Sequence, residues 1–216
     1  LVVHRSARRD VLADLLWPDL PDPRHNLRVT LDYLRGAIEP RRAAFGPSGY
    51  IHADRQRIAF GTEVRCDLWD LHEHLKRAEG AEFAGDLPAA LGFYDLAVPL
   101  FTAPPFEEIG HLDWARTEQT RWCRRFNAAA ARSAELHLAG GAFHHAIYAA
   151  ERASVADPYD EQAYCIMARA HLAGGNHQRA RAALQECVTA LNDLCVPPSP
   201  STAALLAEIG TPLLPR

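Results

Sequence analysis

His137-Leu138-Ala139-Gly140-Gly141 returns as His171-Leu172-Ala173-Gly174-Gly175, 34 residues further on. A repeat of that length is one helix-turn-helix unit, which cannot bury its apolar face alone and must stack on a copy of itself. Ala146 and Ala180 each follow the second Gly of their unit by five places, where a small side chain lets the paired helices approach closely. Asp157-Pro158 falls where the next unit must start. Pro158 lacks an amide donor and disfavours the helical conformation at the residue before it, so it separates the two units.

A degraded third copy precedes these two. Gly85-Asp86-Leu87-Pro88-Ala89-Ala90 keeps the Gly-to-Ala spacing and lies 56 residues before Gly141, so an insertion separates it from the others. The 34-residue period is that of tetratricopeptide repeats and predicts an all-α, TPR-like array. Helices are expected from Asp67 (Leu68, Leu71, Leu75, Ala78), over 87–101, 112–138, 142–156, 160–173 and 177–193. Pro197-Pro198-Ser199-Pro200 then acts as a stiff linker into a last helix, 201–209, that caps the array.

The totals narrow the field. With 216 residues and 48% hydrophobic side chains the chain can build one large or two small cores. No apolar run approaches the length of a membrane span, and Leu1-Val2-Val3-His4-Arg5 is interrupted too soon to be a signal peptide. Met167 is the only methionine, and the chain reads as a piece of a longer product. The five cysteines (66, 123, 165, 187, 195) form no CxxC pair, which fits a reducing cytoplasm rather than a disulfide framework. His72 and His74 are two apart and His144 and His145 adjacent, spacings that do not clamp one metal from a helix; no metal and no cofactor is expected. GxxxxGK[ST], GxSxG and HExxH are all absent, and the acids sit at turns, caps and outward helix positions, so the residues point away from an enzyme.

Ahead of the repeats the chain changes character. Residues 1–62 hold ten arginines against seven carboxylates, net +3, whereas the remainder is net −7 within an overall −4. Arg8 to Trp17 reads as a short amphipathic helix bearing Val11, Leu12, Leu15 and Leu16, closed by Pro18. Asp22-Pro23 is an N-cap followed by a first-turn proline, opening a helix to Ile38 whose buried stripe is Leu27, Leu31, Leu34 and Ile38. Two helices joined by a tight turn make a helix-turn-helix, the second being the one that enters a major groove. Gly49 to Ala53, a polar turn at 54–56 and Arg57 to Phe60 then read as a β-hairpin, the wing of a winged helix. Arg55 and Arg57 either lie along phosphates or belong to a hairpin that only packs on its helices.

Leu16-Trp17-Pro18-Asp19, Asn26-Leu27-Arg28-Val29, Leu34-Arg35 and Gly49-Tyr50 resemble the winged helix of the Streptomyces antibiotic regulatory protein type. Asp113-Trp114-Ala115 with Glu118 and Arg121, Asp157-Pro158 with Glu161, and Pro198-Ser199 are similar to the bacterial transcriptional activator domain that follows it in those regulators. The resemblance covers nearly the whole chain. It implies a mainly α protein: residues 1–62 a truncated winged helix-turn-helix DNA-binding domain, residues 63–216 a TPR-like activator domain. The family's N-terminal sheet is missing, and of its first helix only Leu1 to His4 could remain. The implied partners are double-stranded DNA, RNA polymerase or another protein through the repeats, and a second copy of the chain; no membrane is involved.

On this reading Arg24, His25, Arg28 and Arg35 of the second helix, with Arg55 and Arg57 of the wing, bind DNA. Arg24 and Arg35 flank the buried stripe, so they are equally open to being partners of Asp22 and Glu39. The outward face carries Asp32 and Tyr33 where family members usually carry polar or basic residues. A carboxylate there either reads a cytosine amino group or weakens binding. The alternative is a protein-interaction adaptor whose winged helix has lost DNA binding. Trp114 and Trp122, eight apart on nearly one helix face, are either core or an anchor for a protein partner.

Overall fold

A computed structural model describes residues 1–43 and 46–210. The chain divides into two compact units, Leu1–Trp69 and the residues from Asp70 onward.

The first unit holds β1 (Ser6–Arg8), α1 (Arg9–Leu16), α2 (Pro23–Ile38), β2 (Ile51–Ala53) and β3 (Arg57–Phe60). Asp22 starts α2 by accepting the His25 amide at 2.9 Å, one turn in, and Pro23 occupies a position whose amide would have no partner. The hairpin turn is built by Asp54, whose Oδ1 accepts both the Gln56 and Arg57 amides at 2.7 Å. The hairpin expected from the sequence is joined by a third strand: β1 pairs antiparallel with β3, Ala7 opposite Ile58, giving the order β1-β3-β2. Leu1 to His4 form a single turn closed by the Arg5 amide on the Leu1 carbonyl at 2.8 Å, and Arg5 ends it with φ +58°.

The core of this unit is Ala13, Leu27, Leu31, Ile51 and Ile58, with Leu1, Leu12, Trp17 and Phe60 packed against it. The sheet therefore covers the first half of the α2 stripe. It does not reach the second half, so Leu34 and Ile38, expected to be buried, are each 42% exposed. Val11, Leu15 and Leu16 of α1 are likewise exposed, and the small Ala13 is the α1 residue that is fully buried.

The second unit is helical. It continues α3 (Asp67–Phe83) and adds α4 (Leu87–Ala97), two short 3₁₀ turns, α5 (Asp113–Ala139), α6 (Phe143–Ala156), α7 (Glu161–Ala173), α8 (His177–Asp193) and α9 (Pro200–Glu208). Three bends share one geometry. Gly85, Gly141 and Gly175 have φ of +78°, +75° and +75°, and the amide of the next residue reaches back to the carbonyl five positions earlier: Asp86 to Ala81, Ala142 to His137, Asn176 to His171. This is the Schellman ending of a helix. Gly140 and Gly174 occupy matching helix-terminal positions just before it. A fourth bend of the same pattern, Val196 amide to Leu191 carbonyl, closes α8 with Cys195 at φ +56° in the glycine position.

Between the bends, alanines let the helices meet. Ala130, Ala134, Ala146, Ala150, Ala153, Ala163 and Ala180 are fully buried along α5 to α8. Phe101 stacks on Phe126 at 4.0 Å. The α7–α8 end of the array is covered by α9, whose Leu205 and Leu206 join Cys165, Leu184 and Val188 in one cluster. Ser199 caps α9, and its amide donates to Glu161 Oε2 at 2.8 Å, pinning the cap to the start of α7.

Candidate nucleic-acid interface

Five arginines of the first unit converge. A cleft of about 470 Å³ is lined by Arg8 and Arg9 at the start of α1, Arg24 at the start of α2, and Arg55, Gln56 and Arg57 at the hairpin turn, with Asp10 the one acid. The convergence follows from backbone bonds. The Arg9 amide donates to Gln56 O at 2.8 Å, fastening the first turn of α1 to the hairpin tip. Arg9 Nη1 reaches Asp54 O at 3.3 Å, and Arg57 Nη2 donates to Ser6 Oγ at 2.9 Å. Arg8 forks onto Asp10, with Nε to Oδ1 at 3.0 Å. That bond, helped by the Val11 amide, pulls the Asp10 carboxyl down to about 2. Asp10 thus stays charged and cancels Arg8, while Arg24 and Arg55 have no ion-pair or hydrogen-bond partner among the described residues.

The other residues proposed from sequence are distributed differently. Arg28 and His25 lie exposed one turn apart on α2, Arg28 Nη2 3.2 Å from His25 Nδ1. Arg35 turns inward: its Nη2 donates to the Ile51 carbonyl at 2.9 Å, tying α2 to β2. Neither Arg24 nor Arg35 takes the acid suggested as its neighbour in sequence. Glu39 instead accepts the Ser48 hydroxyl and the Gly49 amide, which hold its carboxyl below the usual range. Asp32 is exposed and Tyr33 is 76% exposed on the outward face of α2. Arg8, Arg9 and Gln56 lie in the expected first helix and hairpin turn but are not among the DNA-binding candidates named from the sequence. The adjacent Arg8-Arg9 pair at a helix start is the available signal, but its meeting with the hairpin tip spans more than 40 positions.

In the second unit Trp122 is 8% exposed and lies edge-on to His72 at 5.8 Å, within the packing of α5 on α3. This burial favours the core reading of Trp122. Trp114 is only partly buried, edge-on to Phe106 at 5.8 Å. No helix among the described residues is long and apolar enough to cross a membrane, and no group of three or more metal-ligating side chains among them could hold a metal ion.

Residues 66–210 match the family model of the bacterial transcriptional activator domain. The chain belongs to this family. That agrees with the resemblance to regulators of the Streptomyces antibiotic regulatory protein type, and the family is one of transcriptional activators rather than of catalysts. No curated protein matches the chain. Among solved structures it is similar to Mycobacterium tuberculosis EmbR in complex with a low affinity phosphopeptide, at a TM-score of 0.63 and 21% identity over 97% of the chain. The matched region is 56% of that structure's chain, so this activator-domain protein spans about half of its length. At that identity the likeness is one of fold alone.

Proposed function

We propose that the protein is a DNA-binding transcriptional activator in which residues 1–62 grip duplex DNA and residues 63–216 recruit another protein, RNA polymerase or a second copy of the chain, in the cytoplasm. The convergence of Arg8, Arg9, Arg24, Arg55 and Arg57 on one cleft is the observation that carries this reading. Guanidinium groups fixed at two helix starts and a hairpin tip match the phosphate contacts that position a protein on DNA without specifying sequence. Arg28 and His25 on the exposed side of α2 are then the groups that meet base edges, and Arg35 serves indirectly by holding α2 to the sheet. Trp114, at the partly exposed start of α5, is the aromatic contact for a protein partner.

The test is a fluorescence-anisotropy titration of a labelled duplex across a range of salt. Arg24→Ala with Arg55→Ala removes the two uncommitted charges without disturbing a bond of the fold. Affinity should fall and the slope of log K against log salt should shrink by roughly 2. An unchanged slope would reject the cleft as the DNA contact. The exposed Asp32 and Tyr33 favour a second reading, an adaptor that binds protein only; it is selected if Asp32→Asn leaves the chain without affinity for duplex at low salt.

A further inference from the structure

The repeats are not equally filled. Ser133 and Met167 stand at the same place in successive units, four residues before His137 and His171. Met167 is buried and fills its place with a thioether chain. Ser133 is 0% exposed, yet its small side chain leaves a cleft of about 530 Å³ between α4, α5 and α6. Its hydroxyl has no hydrogen-bond partner among the described residues. The helical threonines behave differently: Thr117, Thr120 and Thr189 all donate to the carbonyl four residues back in their own helices, at 2.8–2.9 Å. A buried, unanswered hydroxyl in the lining of a cleft is a group awaiting a partner.

The walls define what that partner is. Val98, Pro99 and the half-exposed Tyr148 line the cleft, and His137 lies against His145 with ring centroids 5.0 Å apart. His137 Nε2 is 2.7 Å from Asp95 Oδ1, so that pair answers itself and the carboxylate disfavours an incoming anion. The volume lies in the range of small-molecule sites, which combine apolar and aromatic walls with a few placed polar groups. We propose that this cleft binds a small neutral hydroxyaromatic molecule, its ring against Tyr148 and the imidazoles, its hydroxyl on Ser133. Such a ligand restores at this repeat interface the packing that Met167 supplies at the next one, and it clamps α4, α5 and α6 together. The site does not depend on the reading of the arginine cleft.

The probes are 2-naphthol, followed by its fluorescence anisotropy with the whole chain, and naphthalene as a competitor lacking the hydroxyl. The expected result is saturable binding at one site, with naphthalene roughly tenfold weaker, the value of about one net hydrogen bond. Ser133→Ala should keep the cleft and erase that preference. Ser133→Met should abolish binding of both probes while its circular-dichroism melt matches or exceeds that of the parent. If Ser133→Met fails to fold, Tyr148→Ala, at a half-exposed position, decides: binding should weaken several-fold. The proposal is overturned by non-saturable binding, by a preference that survives Ser133→Ala, or by affinity indifferent to Ser133→Met or, where that variant does not fold, to Tyr148→Ala.

Discussion

Gly141 and Gly175, one repeat apart, adopt the same left-handed backbone, φ +75° at both, and an added Cβ would meet nothing within 4 Å at either. The penalty for replacing them is therefore conformational rather than steric. Gly141→Ala and Gly175→Ala should each lower stability by about 1 kcal/mol in urea unfolding. Gly80→Ala, within α3 and equally open, is the control and should raise it by about 0.5–1 kcal/mol. Equal effects at all three positions would mean that the bends tolerate any residue.

Arg35 links α2 to the sheet through the Ile51 carbonyl, whereas Arg28 meets His25 on the surface. Removing the first leaves a buried carbonyl short of a donor. Arg35→Ala should destabilise the first unit by about 1–2 kcal/mol, read from the fluorescence of Trp17 and Trp69 in urea. Arg28→Ala should leave that transition in place, so any loss of DNA affinity in this variant reports on contact alone.

The two tryptophans of α5 should separate in the same way. Trp122→Ala empties a buried site and should cost about 3–5 kcal/mol. Trp114→Ala, partly exposed, should cost well under half of that, and its effect should appear in partner binding. A large loss of stability from Trp114→Ala would make it a core residue too.

The acid sensitivity of the second unit should trace to Glu82. The Arg132 guanidinium, joined by the Tyr94 hydroxyl at 2.9 Å, holds this carboxyl below its ordinary value of 4.5. A depressed carboxyl adds stability that is complete above the unfolded value and disappears as pH falls through the folded one. Stability should hold from neutral pH to about 4.5 and then decline. Glu82→Gln should lower it by about 1 kcal/mol at pH 7 and flatten the decline below 4.5, measured by urea midpoints against pH.

Much of this architecture can be read from spacing. The glycine pairs and Asp157-Pro158 give the repeat register, and Asp22-Pro23 marks the start of α2, because caps and left-handed turns are properties of a few adjacent residues. What escapes is set by partners distant in sequence. The β1 strand is three residues, Ser6-Ala7-Arg8, too short to show alternation, and exists because β3 offers it an edge. Leu34 and Ile38 fit the helical period, yet periodicity reports an apolar face and not the neighbour that covers it. Arg8 and Arg9 join the cleft only through the hairpin tip. The space beside Ser133 is invisible to pattern, since an absent side chain has no period; only comparison with Met167 reveals it.

The bend that closes α8 holds Cys195, not glycine, in the left-handed conformation. A side chain there costs about 1 kcal/mol relative to glycine, so the last hairpin is held partly by contacts of the terminal helix: the Ser199 amide on Glu161 and the cluster of Leu205 and Leu206. Loosening α9 would release a spring already wound at Cys195, and the array would fray from its C-terminal end, leaving the bends at Gly141 and Gly85 to melt last.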